Sequence, residues 1–152
     1  ALSEAARIVR GDIRDMRAVE ADDLFAAVFV GGGGTLSTWT DYHKRGQDCR
    51  VTERLKYQVL DLFRAEKPMV GFGNAAFVLA RILADPAEDL TINIGSNAQL
   101  NQALEEWGVT TDESTPSWDS HNQVGSLPDV VKTESLPELK GEMSEILDRA
   151  LV

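Results

Sequence analysis

This 152-residue chain contains one cysteine, Cys49, and only two histidines, His43 and His121. A single thiol excludes an internal disulfide framework and fits a reducing compartment. The histidines lie far apart and have no Cys or His neighbour at zinc-ligand spacing, so no metal or other cofactor is expected. Basic residues are also scarce. Lys and Arg number 15 against 25 Asp and Glu, a formal charge of −10, which argues against nucleic acid or an anionic membrane surface as partner. No apolar run approaches a membrane span, and nothing at the start resembles a secretory signal. No repeat, linker or low-complexity tract divides the sequence. With 43% hydrophobic residues, positions 1–152 are expected to form one domain with a substantial core. The missing initial Met points to processing or to a piece of a longer protein.

What is present alternates between helix and strand. Leu2 to Val9 is expected to end a helix closed by Arg10 and Gly11, and Leu24 to Val30 to form a buried strand running into Gly31, Gly32, Gly33 and Gly34. Thr35 to Asp48 has the composition of a polar loop. Val51 to Ala65 carries apolar residues at helical spacing. A strand is expected at Leu90 to Ile94 and a helix at Asn97 to Trp107, closed by Gly108. Short strands are expected around Ser117 to Val124 and Val130 to Thr133. A final helix spans Leu136 to Leu151, with Leu139, Met143, Ile146, Leu147 and Ala150 facing inward. Continuous apolar strands alternating with helices predict an α/β fold whose mainly parallel sheet is covered on both sides.

The most informative segment begins at Pro68. Met69 to Phe72 is a short apolar strand, Ala75 to Leu83 is a strong helix former, and the small residues Gly73 and Asn74 occupy the junction. A strand that turns sharply into a helix displays one side chain above the carboxyl edge of a parallel sheet, where hydrolases and amidotransferases place Ser or Cys. Gly73 displays none, although glycine accepts the positive φ such an elbow requires.

Several short motifs, in order, resemble the ThiJ/PfpI superfamily of class I glutamine amidotransferase-like proteins, and within it the ElbB-like glyoxalase branch with bacterial and mitochondrial members. They are the run Ala5 to Ile13, Val28 to Gly34, Leu36 to Trp39, Asp48 to Val51, Glu66 to Pro68, and Leu79 to Arg81. An N-x-V-x-x-x-P pattern follows at Asn122, Val124 and Pro128. The resemblance implies a flavodoxin-like three-layer sandwich. It also implies that the chain starts about a strand and a helix late, so that the first strand is missing. The branch pattern G-x-x-C-x-A-P, aligned from Pro68, puts Gly73 at the nucleophilic cysteine and Ala76 at the proline. The family's supporting acid has no counterpart, and Ser117 stands where relatives often carry a histidine. An insertion, Asp41 to Arg45, follows Trp39.

Other candidates are weaker. Cys49 beside His43 and Asp48 could be a displaced nucleophile, but a structural thiol is favoured. Gly31 to Gly34 could hold a small anion together with Gly73, yet the run lacks both the Gly-Lys-Ser/Thr ending of a P-loop and the spaced glycines of a dinucleotide site. Thr35, Ser37 and Asn74 are alternative reactive groups without an expected histidine partner. Trp107 is expected to pack, whereas Trp39, Tyr42 and Trp118 in polar segments are expected to serve as interface anchors. Glu105, Glu106, Asp112 and Glu113 fit a solvated helix end.

The reading that follows is an inactive ThiJ/PfpI-like pseudoenzyme serving as an accessory subunit of a larger hetero-oligomeric, mitochondrial assembly, with the cytoplasm as the other compartment. Two alternatives use the same fold: a glyoxalase- or amidase-type enzyme working through another residue, and a ligand sensor whose pocket above Gly73 is enlarged by the lost side chain.

Overall fold

A computed structural model describes residues 7, 10, 11, 13–128 and 136–152. Strand β1 (Ala27–Gly31) leads through a glycine turn to the short helices α1 (Thr35–Trp39) and α2 (Tyr42–Arg45), then to helix α3 (Glu53–Arg64). Strand β2 (Met69–Gly73) passes directly into helix α4 (Asn74–Leu83), followed by β3 (Thr91–Ile92), α5 (Ala98–Glu106) and β4 (Thr110–Thr111). Strands β5 (Ser117–Asp119) and β6 (Val124–Leu127) precede the last helix, α6 (Leu136–Leu151). The main sheet has the order β1-β2-β6-β5. Its first three strands are parallel and β5 is antiparallel to β6. A separate parallel pair joins β3 to β4. The chain is therefore α/β with a mainly parallel sheet.

Burial follows from the helix patterns. Leu55, Val59 and Leu62 repeat at helical spacing on α3 and are buried, while Glu53 in its first turn and Arg64 in its last complement the helix dipole. Helix α4 buries every residue except Asn74 and Arg81 and is the centre of the larger core. Its Phe77 is fully buried between Tyr42, edge-on with ring centroids 5.2 Å apart, and Trp107 at 5.0 Å. On the opposite face of the sheet, Val70 and Phe72 of β2 and Leu127 of β6 pack against Ile146 and Ala150 of α6, with Leu139, Met143 and Leu147 half-buried beside them. The inward face expected of this helix is the one observed. Asn97 caps α5 by accepting from Leu100 N at 3.2 Å, and Gly108 follows it at φ +75°. No helix among the described residues is long and apolar enough to cross a membrane.

Four expectations change. The strand expected to be buried from Leu24 starts at Ala27 and lies at the sheet edge, where Val28 and Val30 are 44% and 71% exposed. Among the described residues, helix α6 packs chiefly on β2, β6 and β5 of that face. The expected loop Thr35 to Asp48 is helical in three short pieces, α1, α2 and a 3₁₀ turn at Gly46–Asp48. Its hydroxyls account for this: Ser37 and Thr38 donate to Gly34 O, and Thr40 donates to Leu36 O. The segment is then closed by a bridge between Thr40 and Val51. The strand at Leu90 to Ile94 contracts to two residues, and Ser117 to Val124 divides into β5 and the start of β6 around a turn with Gln123 at φ +57°. The helix expected at Leu2 to Val9 and the strand at Val130 to Thr133 fall essentially outside the described residues.

Candidate functional site

The elbow forms where the sequence places it. Gly73 ends β2 at φ +58°, ψ −135° and caps α4 with no residue between strand and helix. That backbone region is nearly closed to residues bearing a side chain. A second constraint comes from β1, which runs parallel beside β2 with Gly31 opposite Gly73. The Gly31 carbonyl oxygen occupies the place a Cβ on Gly73 would need. The approach is mutual: a Cβ on Gly31 would lie 2.5 Å from Ala75 N, and one on Gly71 would lie 2.6 Å from Ala76 Cα. Gly31, Gly71 and Gly73 thus bring two strand backbones and the first turn of α4 into direct contact. A Cβ on Gly73 would thus meet the main chain of Gly31.

The remaining glycines behave differently. A Cβ on Gly32, Gly33 or Gly34 would meet nothing. Gly32 O accepts from Asn74 Nδ2 at 3.2 Å, so Asn74 ties the glycine turn to the elbow. Thr35 is buried, and Ser37 is exposed with its hydroxyl on Gly34 O at 3.1 Å. None of the hydrogen bonds described for Thr35, Ser37 or Asn74 reaches an imidazole.

Cys49 is fully buried, and burial pushes its thiol pKa up. Its carbonyl accepts from Arg81 Nε at 3.1 Å, and Arg81 in turn lies 5.1 Å from the Trp107 ring centroid. Cys49 is a packing element here, and neighbouring His43 and Asp48 are exposed. His121 is exposed too, 3.8 Å from Glu88. Ser117 is buried and donates to Asp112 Oδ2 at 2.7 Å. The Asp112 carboxylate also accepts from Ser114 N at 3.0 Å, and these bonds, that of Ser114 N first, hold its pKa below the usual carboxylate range. Asp112 therefore works within its own loop, whereas Glu105, Glu106 and Glu113 are exposed.

Trp39, Tyr42 and Trp118, expected as interface anchors, are half-buried. Trp39 and Tyr42 pack on the larger core and Trp118 on the smaller one, where its ring closes over Gly125. The segments of Trp39 and Tyr42 are short helices rather than a loose loop, and each of the three rings keeps part of its surface exposed. Trp107 also packs, its Nε1 donating to Gln47 O at 2.9 Å.

Two features were missed from the sequence. The first is a buried polar clip joining the β3–β4 pair to the main sheet. Asp119 accepts from Thr91 N at 2.9 Å, Asn122 donates to Glu88 O at 2.8 Å, and Asn93 N donates to Ser126 Oγ at 2.8 Å. Asn122 in the N-x-V-x-x-x-P pattern was its one visible signal. The second is the apolar exposure around β1, where Phe25 is 91% exposed ahead of Val28 and Val30.

No protein-family profile matches the chain. It is 35% identical over 79 residues to the human glutamine amidotransferase-like class 1 domain-containing protein 3, mitochondrial, covering 52% of this chain and 29% of that protein. It is 26% identical over 145 residues to the Danio rerio ES1 protein, mitochondrial, covering 84% of this chain and 53% of that protein. The chain therefore spans between about a third and a half of the curated relatives it matches. Both relatives are named as mitochondrial proteins. An isoprenoid biosynthesis protein with an amidotransferase-like domain from Ehrlichia chaffeensis superposes with a TM-score of 0.78 at 20% identity, over 97% of this chain and 70% of its own. A ThiJ/PfpI domain protein from Brachyspira murdochii superposes at 0.55 with 16% identity, over 88% and 65%. By sequence, part of the chain is similar to a glutamine amidotransferase-like protein, and its fold is that of amidotransferase-like and ThiJ/PfpI domains.

Proposed function

We propose that this chain is a catalytically silent ThiJ/PfpI-like domain of the ElbB-like branch, retained as an accessory subunit of a larger mitochondrial protein assembly. The observation that carries this reading is the pairing of Gly73 with Gly31. Position 73 bears no nucleophile, and the neighbouring carbonyl fills the place its side chain would take. An acyl-transfer site needs a nucleophile, a base within hydrogen-bond reach and donors aimed at the developing oxyanion. Here the only thiol is buried, the hydroxyls near the elbow have no described imidazole partner, and a carbonyl acceptor stands where the attacking atom would be attached. A fold that keeps its architecture without those groups presents surfaces rather than chemistry.

The test is turnover of glutamine and of methylglyoxal by the purified chain, alongside its Cys49→Ala form. Release of ammonia or lactate is expected to match a blank without protein. Turnover by both proteins would overturn the reading, and so would turnover that disappears only in Cys49→Ala, since it would place the chemistry on Cys49.

A further inference from the structure

At the end of the sheet opposite the elbow, residues 60–66 at the close of α3, 86–88 after α4 and 121–123 before β6 line an open cavity of about 750 Å³. Glu66 and Gln123 come just ahead of the parallel strands β2 and β6, so the cavity lies at their amino-terminal end, whereas Gly73 ends β2 at the other. Its size falls within the roughly 300–1,000 Å³ of small-molecule sites. The floor is apolar: Leu60 and Phe63 are half-buried against the larger core, and Pro86 joins them in the lining.

Around this floor stand charges of both signs. Among the described residues, neither the Arg64 guanidinium nor the Glu66 carboxylate has a hydrogen bond or an ion pair. The Glu88 carboxylate lies 3.8 Å from His121 Nε2, and the Glu88 carbonyl accepts from the buried Asn122 Nδ2 at 2.8 Å, which fixes that wall. Gln123 donates its Nε2 to Ser120 O at 2.7 Å, leaving its Oε1 as an acceptor. Glu66 and Gln123 also hold φ of +54° and +57°, a conformation that glycine takes at less cost. A carboxylate and an amide occupy these two positions instead, and both line the same cavity.

We propose that this cavity binds a free α-amino acid with an apolar side chain. The ligand's ammonium donates to the carboxylates of Glu66 and Glu88 and to Gln123 Oε1. Its carboxylate pairs with Arg64, whose planar fork matches two carboxylate oxygens. Its side chain covers Leu60, Phe63 and Pro86. A simple anion would meet two carboxylates here and a simple cation would meet Arg64, whereas a zwitterion satisfies both signs. The site is remote from the elbow and is tested on the isolated chain, so it and the subunit reading can fail separately.

The experiment is calorimetric titration of the purified chain with L-leucine and L-phenylalanine, and with two incomplete probes, N-acetyl-L-leucine without the ammonium and L-leucinamide without the carboxylate. Saturable binding of at least one amino acid is expected with a Kd of about 1 mM or tighter, and each incomplete probe should bind about tenfold or more weakly. Arg64→Gln, folded by its far-UV spectrum, should lose about tenfold in affinity for the amino acid and little for L-leucinamide. Lys56→Gln, at an exposed position of α3 outside the cavity, should bind like wild type. No saturable binding of either amino acid up to about 10 mM overturns the proposal. Equal binding of N-acetyl-L-leucine would make this a carboxylate site and equal binding of L-leucinamide an amine site, and either overturns the zwitterion assignment. Wild-type affinity in Arg64→Gln places the ligand elsewhere and overturns this cavity.

Discussion

The carbonyl of Gly31 and the α-carbon of Gly73 face each other across parallel strands so closely that no side chain fits on Gly73. Both halves of this arrangement are backbone, so neither can yield by changing a rotamer. Gly73→Ala or Gly73→Cys therefore meets both a left-handed conformation and a main-chain clash. We expect each to destabilise the fold by about 3 kcal/mol or more, read from urea unfolding. A Gly73→Cys protein of wild-type stability would show that β1 retreats easily and that the elbow is open.

Phe77 is the largest fully buried side chain of the core and touches rings on both sides. Phe77→Ala is expected to cost about 3 to 5 kcal/mol, with part of the loss arising from the cavity between Tyr42 and Trp107. The fluorescence of Trp107 should shift to the red in the folded variant as its contact is lost.

Cys49 is buried, and its pKa is raised chiefly by burial. A thiol reagent reacts with the thiolate, so native protein should label slowly, at a rate set by opening of the fold rather than by reagent concentration. Fast labelling without urea would contradict the packing assigned to this residue.

Asp112 is held below its ordinary pKa by hydrogen bonds from Ser114 N and Ser117 Oγ. A carboxylate lowered in the folded state contributes stability that is present above its unfolded pKa and is lost as pH falls through the folded one. Below about pH 4 the wild-type melting temperature should therefore fall more steeply than that of Asp112→Asn, and the two curves should converge toward acid. Parallel curves from pH 6 to 2.5 would remove Asp112 from the account.

The elbow was legible because its signals are local. Pro68 opens an apolar run, Gly73 and Asn74 break it, and an alanine-rich helix follows. The inward face of α6 was legible for the same reason, as was the close of α5 at Gly108. The exposure of β1 was not. Seven apolar residues from Leu24 to Val30 have the pattern of a strand covered on both faces, and only topology shows that among the described residues this one is an outer strand with Val28 and Val30 exposed. Trp39 and Tyr42 were misplaced because serine, threonine and aspartate suggested a loop. Their hydroxyls instead bond to carbonyls four and fewer residues back and help to fold the segment into short helices. The meeting of Gly31 with Gly73 depends on residues 42 positions apart in sequence, and periodicity carries no information about such an approach.

The central claim is that this domain acts through a protein partner rather than through chemistry at its elbow. The native mass of the endogenous protein in a gently solubilised mitochondrial extract tests it most directly. The account predicts migration in a large particle with a constant set of co-purifying subunits; migration of the whole pool as a free monomer would contradict it.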